Sequence, residues 1–589
     1  MINPFDLSTG QYDELYCLSS GRPADSEVSK DLLSYICTGE DAAAEFIKVR
    51  LMEKSISFHA PMKKLKLKTF ADMVVSKKIP AGKQKAITVK AERNFLGQLL
   101  MLSQSNSISF DKLFQFSLSP VPLSLATADG CLVKTNKAQL MHTIEDECQH
   151  DNATIEPDTC ISVVDGNALI RTITLLPDTF GEFADVVFRS LPKSGTIHFV
   201  TDSYYPQSIK TLERARRGTY SVHVIGGPAS KLPRELGRFL LQAENKRQLL
   251  DFLLRQWQQP QYASALHGRY LYFVYEHHCT CLSSIDGIQV HVSDVPDLHS
   301  SQEEADSRIV LHCMHAARFA QEHETSIVVR SPDTDVFILL LHFSERIAHK
   351  LLFDTGTGNK RRVLDVSTIA TTLGADLCKA LPGFHSFTGS DSTSAFVRKG
   401  KKTPLSVMRN SSTYLKVFGD LGNSDLSLTE EDFHRLEQFV CHMYGFRNLS
   451  DVNKLRCLIF QSRFGAKLPR IMSTESATGV DLSLLAPCRA ALRKHSLRAM
   501  YQTFIWKHAD LCDCQLPPPD GFGWIVKNGE VQVDWIDDCD VMPIQLADVL
   551  ENEMSPTGAA EFDREVDESI EEDDVIDNIV DIIFDDEDD

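Results

Sequence analysis

The chain has 589 residues with 43% hydrophobic and 24% charged side chains, a globular composition long enough for two to four domains and a sizeable core. Its net charge of −20 is concentrated in residues 561–589, which hold 16 acidic residues and one arginine; the other 560 residues hold 60 basic and 65 acidic ones, so a nucleic-acid partner stays open. Without an apolar run of the roughly 18 residues that span a bilayer, without a basic flank and apolar segment in MINPFDLSTGQYDE, and with fifteen cysteines at no framework spacing, the chain is expected to be intracellular, nuclear or cytoplasmic with the nucleus favoured, free of membrane and with reduced thiols.

Residues 1–155 form an N-terminal module whose notable part is a basic stretch, with Lys63, Lys64, Lys66, Lys68, Lys77, Lys78, Lys83, Lys85, Lys90 and Arg93 set against Asp72 and Glu92. It fits phosphate contact, a nuclear address or a solvated face. Lys134 to Glu147 predicts a short helix before the polar linker QHDNATIEPD.

From residue 156 to 410 the pattern alternates. Cys160–Val164 predicts a strand ending at Asp165, Ala168–Arg189 helix, Thr196–Val200 a strand ending at Asp202, Leu232–Trp257 helix, and Tyr270–Tyr275 a strand. A helix opens at Glu303 to Asp306. In TSIVVRSPDTDVFILLL, residues 325–341, a β-branched strand ends near Arg330 and a helix begins beside Asp335. Extended runs near 350–353 and 362–366 and a helix over 368–381 follow. The fold class is α/β, a mostly parallel sheet flanked by helices. Residues 411–515 predict a helical C-terminal region, 516–560 a small extension, and 561–589 a disordered acidic tail suited to a basic protein partner or to covering a basic groove.

Carboxylates recur in this central part. Asp165 (VVDGNAL), Asp202 (FVTDSYYPQS), and Asp333 and Asp335 (SPDTD) follow apolar strands, Glu304 and Asp306 (QEEADSR) start a helix, and Asp391 (FTGSDSTSAF) lies in a loop. Open α/β sheets place chemistry at the carboxyl ends of strands. Seven converging acids would repel one another, so either they lie far apart or divalent cations neutralise them, and their recurrence at strand ends favours the second. Mg2+ or Mn2+ take oxygen ligands, and two such ions about 4 Å apart activate a water and stabilise the leaving oxygen of a phosphodiester. For Asp333 the competing role is a plain helix cap.

The succession VVDGNAL, FVTDSYYPQSIKTLERARRG, EEAD, SPDTDVFIL and TGSD resembles the metal-binding motifs of the flap endonuclease family of structure-specific 5′ nucleases, within the PIN-like superfamily. SPDTD with TGSDSTSAF is also similar to uncharacterised animal proteins related to mobile elements. The family resemblance implies a metal-dependent nuclease acting on DNA or RNA at a two-ion Mg2+ or Mn2+ site. Asp165, Asp202, Glu304 and Asp306 would serve mainly one ion, and Asp333, Asp335 and Asp391 mainly the other. It also implies phosphate contacts for Lys210, Arg214, Arg216 and Arg217 after the second motif, and for Lys399, Lys401 and Lys402 after TGSD. The chain departs from the family pattern in some 160 residues ahead of Asp165, a shortened arm at Asp306, Thr201 and Ser203 around Asp202, and a weak helix-hairpin-helix likeness in SAFVRKGKKTP.

Two other readings stay open: a catalytically inactive PIN-like scaffold that binds nucleic acid or proteins, such as a domesticated mobile-element product, and a phosphatase-like small-molecule hydrolase. His277, His278, Cys279 and Cys281 in EHHCTC are zinc-type ligands with no second cluster at finger spacing.

Overall fold

The computed structural model describes residue 15 and residues 24–60, 67–70, 73–81, 85–91, 99–100, 102–103, 108–148, 152–205, 208–210, 221–320, 326–423, 426–464, 481–527 and 529–554. A small antiparallel hairpin, β1 (Ser76–Ala81) and β2 (Lys85–Lys90), precedes the main sheet. That sheet contains β3 (Cys160–Asp165), β4 (Thr196–Val200), β5 (Tyr270–Tyr275), β6 (His278–Ser283), β7 (His291–Asp294), β8 (Ser326–Arg330), β9 (Lys350–Thr355) and β10 (Arg362–Asp365), in the order β10-β9-β8-β3-β4-β5-β6-β7. The five central strands, β9, β8, β3, β4 and β5, run parallel; β10 pairs antiparallel with β9 at one edge, and at the other β6 pairs antiparallel with both β5 and β7.

Burial explains the central strands. Every residue of β3 is buried, and its side chains divide by the two-residue period between the faces. Ile161 and Val163 join Ile327, Val329, Leu351 and Phe353 under the helices Ala305–Phe319 and Thr334–Phe343. Val164 joins Ile197, Phe199, Leu271 and Phe273 against the helices Phe180–Arg189 and Ala243–Trp257 on the other face. Helices on both faces require such apolar strands.

Three helical stretches are broken where the sequence predicts continuity: within 232–257, Leu236–Phe239 and Ala243–Trp257 are separate helices. Gly166–Arg171 and Phe180–Arg189 are separate helices, the second opened by a capping box of Thr179 and Glu182. Val366–Leu373 and Ala375–Phe387 part at Gly374, whose φ of +83° is outside the helical region.

Packing crosses residue 155. Ile87, Leu113, Leu140 and Ile144 belong to the same core as Phe439, Leu492 and Leu546. Ser117 and Leu118 donate backbone hydrogen bonds to Asp540 and Val541 at 2.9 and 2.8 Å, and buried Arg456 donates to the carbonyls of Phe114 and Ala486. Within the basic stretch Lys77 pairs with Asp538 and Lys68 with Glu27, while Lys63, Lys64, Lys66, Lys83 and Arg93 lie outside the described residues, as does the acidic tail. No described helix is long and apolar enough to cross a membrane.

Candidate metal centre

The carboxyl ends of β3, β4 and β8 lie side by side in the parallel centre, so the acids that follow them converge. Asp165 ends β3 and caps the next helix, accepting from the Ala168 N–H at 2.9 Å; Ser331 donates to its other oxygen at 3.3 Å. Asp202, two residues past β4, accepts from Asn167 at 2.7 Å, from Tyr204 at 3.3 Å and from the Ala305 N–H at 2.9 Å. That last bond ties it to the helix that Glu304 and Asp306 begin. Asp333 caps the helix after β8, accepting from the Asp335 N–H at 2.9 Å. Capping and site membership therefore coexist in one residue.

Asp306, Asp333 and Asp335 offer carboxylate oxygens that all lie within 4.8 Å of one another. Asp306 is 8% exposed, and among the described residues no donor or cation is paired with it. Burial first, then Asp333, push its carboxyl well above the usual carboxylate range. Burial likewise pushes Asp165 up to about 7, and Glu304 to about 7 although Lys210 opposes it. Burial and the neighbouring Asp335 raise Asp333.

Two lysines enter the cluster. Lys210 Nζ lies 2.9 Å from Glu304, so of the expected basic residues after Asp202 it is directed into the acidic site; Arg214, Arg216 and Arg217 lie outside the described residues. Lys137 Nζ lies 2.9 Å from Asp391, 3.1 Å from Asp335 and 3.4 Å from Asp333. Burial opposes charge on Asp335, but Lys137 and the His385 hydrogen bond outweigh it and hold this carboxyl below the usual range. Asp391 is lowered as well, burial and Asp335 being outweighed by Lys137 and Lys210.

Four of the seven acids, Glu304, Asp333, Asp335 and Asp391, thus meet the two ammonium groups, and Asp306, Asp333 and Asp335 offer oxygen alone. This fits a hard divalent cation such as Mg2+ or Mn2+, since Asp306 is a buried acid without a hydrogen-bond or ion-pair partner among the described residues, and burial raises Asp165, Glu304 and Asp333 beside it. Asp306, Asp333 and Asp335 would hold such an ion.

Lys401 departs from the expected phosphate contact. It is fully buried, donating to the His385 carbonyl at 3.1 Å and to Thr388 at 2.9 Å, because the chain folds back under the Ala375–Phe387 helix. Burial pushes its amine well below the usual lysine range, and it lies behind the site against the His385 carbonyl. Lys402 is exposed at the start of the helix Lys402–Arg409, and Lys399 sits 4.3 Å from the Tyr444 ring centroid.

In the EHHCTC segment Glu276 and His277 form the turn before strand β6, whose alternation buries Cys279 and Cys281 and exposes His278. His278 instead groups with Asp294 and His299, so the four residues do not form one ligand set. Sequence reasoning missed Lys137 and His385. His385 stands six residues before Asp391 within the same apolar segment, but no motif marks Lys137.

No protein-family model and no curated protein matches the chain.

Proposed function

We propose that the protein is a divalent-metal-dependent nuclease of the PIN-like, flap endonuclease type, hydrolysing phosphodiester bonds of DNA or RNA with structural selectivity. The observation that carries this reading is the convergence of Asp306, Asp333 and Asp335 at the carboxyl ends of the parallel strands, with Asp306 unpaired among the described residues. A bound Mg2+ or Mn2+ supplies charge for the developing oxyanions and acidifies water. The chain's own part is positional. Asp165 and Asp202 lie at the ends of the adjacent strands and border the ion position; Asn167 and the Ala305 N–H orient Asp202. Lys210, held at Glu304, would meet a phosphate that approaches from the loop after Asp202, and exposed Lys402 would extend the basic border.

A second reading, a non-catalytic scaffold that binds nucleic acid or protein, is favoured by one observation: Lys137 and Lys210 already compensate part of the acidic charge. The two separate in one assay of labelled single-stranded, duplex, flap and hairpin DNA and RNA with Mg2+ or Mn2+. The nuclease reading expects cleavage by the wild type that EDTA and Asp333→Ala/Asp335→Ala abolish while folding is kept. Binding without cleavage of every substrate overturns it in favour of the scaffold.

A further inference from the structure

Lys137 comes from outside the run of motifs, yet its ammonium touches three of the seven acids, Asp333, Asp335 and Asp391. The resemblance assigns these three to the second of two ions.

Its placement is built into the fold. The helix Ala138–Cys148 that follows Lys137 buries Leu140, Met141 and Ile144 in the main core. Glu145 forms a two-bond ion pair with Arg362 of β10 at 2.8 and 2.9 Å. Gln139 accepts from the Lys401 N–H at 2.9 Å, and Lys134 reaches the Asp391 carbonyl at 2.7 Å. The side chain of Lys137 is 21% exposed, so it is enclosed by the acids and not merely draped over them.

Asp333 and Asp335 therefore belong to two neighbourhoods. On one side they approach unpaired Asp306; on the other they share Lys137 with Asp391. On the metal-centre reading the shared carboxylates would bridge two cation positions, with an ammonium at the second. A second ion such as Mg2+ would need oxygens at about 2.0–2.1 Å, in the space that Nζ fills at 2.9 Å from Asp391 and 3.1 Å from Asp335.

We infer that Lys137 is the built-in cation of this site, so that the free protein takes one divalent ion, at Asp306, Asp333 and Asp335, instead of two. The inference rests on the metal-centre reading above and makes Lys137 a positioning residue for the shared carboxylates.

The test is Mn2+ stoichiometry on the full chain, by calorimetry and by electron paramagnetic resonance, for wild type, Lys137→Met, Lys137→Gln and Lys137→Arg, with folding checked by circular dichroism. The expected result is one Mn2+ for wild type and Lys137→Arg, and two for Lys137→Met or, should that variant not fold, for Lys137→Gln. Two Mn2+ in the wild type overturn the inference while leaving the metal centre intact. One Mn2+ in every folded variant also overturns it, because Lys137 then excludes nothing. Absence of Mn2+ from wild type and variants alike removes the metal centre itself.

Discussion

His385 Nε2 lies 2.8 Å from Asp335 Oδ1, and both side chains are sealed from solvent. Burial and then Lys401 lower the imidazole to about 4, so it is neutral at pH 7 and its Nε2–H donates to the carboxylate. The ring stacks on Trp506 at 5.6 Å, and its backbone carbonyl accepts from Lys401. Asp335 is thus aimed by a chain of buried contacts.

Removing that support weakens the ion site without touching a ligand. His385→Ala is expected to lower Mn2+ affinity by about 10–100-fold, the usual effect of losing a hydrogen-bond partner behind a ligand. A Mn2+ titration checks it, with secondary structure monitored in parallel. Unchanged affinity in a folded variant would show that His385 does not position Asp335.

Protons compete with the ion. Asp165 and Glu304 are raised to about 7, so below pH 7 they hold protons that a cation must displace, and Asp306, which burial holds well above the usual carboxylate range, adds to the same competition. The sign follows: Mn2+ affinity rises with pH from 5.5 to 8, and binding at pH 6.5 releases protons. Asp335 and Asp391 are lowered and stay ionised across this range, so they add nothing to the slope. Calorimetry in buffers of different ionisation enthalpy measures the release directly. Affinity independent of pH, with no proton release, contradicts this assignment.

The two adjacent lysines after the TGSD motif differ in role. Lys401 is buried and Lys402 exposed. For a bound duplex, Lys402→Met is expected to make the plot of log affinity against log salt shallower by about 0.9, one phosphate contact. Lys401→Met leaves that slope unchanged. A slope change in Lys401→Met alone would reverse the two roles.

Gly389 turns the chain toward Asp391 with φ +114°, and an added Cβ would stand 2.8 Å from Ala395 Cβ and 2.9 Å from its Cα and N. Gly389→Ala is therefore strained in both backbone and packing. It is expected to lose about 1–3 kcal/mol of stability in urea unfolding and to displace Asp391 from Lys137. A variant as stable as wild type would mean that the turn relaxes freely.

The central strands were legible because short apolar runs bounded by turn residues leave few alternatives, and β3, β4, β5 and β8 lie where the pattern predicts; behind β3, β4 and β8 the acids follow within a few residues. The edges were not. β6 mixes His278, Thr280 and cysteines, and all four residues of β7 are exposed, so neither carries a buried-strand signal. Within the site, the strand-end acids announced themselves. Lys137 did not, because its partners Asp333 and Asp335 stand 196 and 198 residues away and only tertiary packing brings them together. Lys401 was misjudged because a lysine between lysines resembles a solvated basic run, whereas the fold turns this one inward.

The most direct test of the account is single-turnover cleavage of labelled flap, hairpin and single-stranded substrates in Mn2+ by wild type and Asp306→Asn. The substitution keeps the shape of the side chain and removes the charge of the acid that lacks a partner among the described residues. The account predicts cleavage by the wild type and a loss of about 100-fold or more in the variant, with folding retained. Equal rates in the two proteins, or cleavage that persists in EDTA, would contradict it.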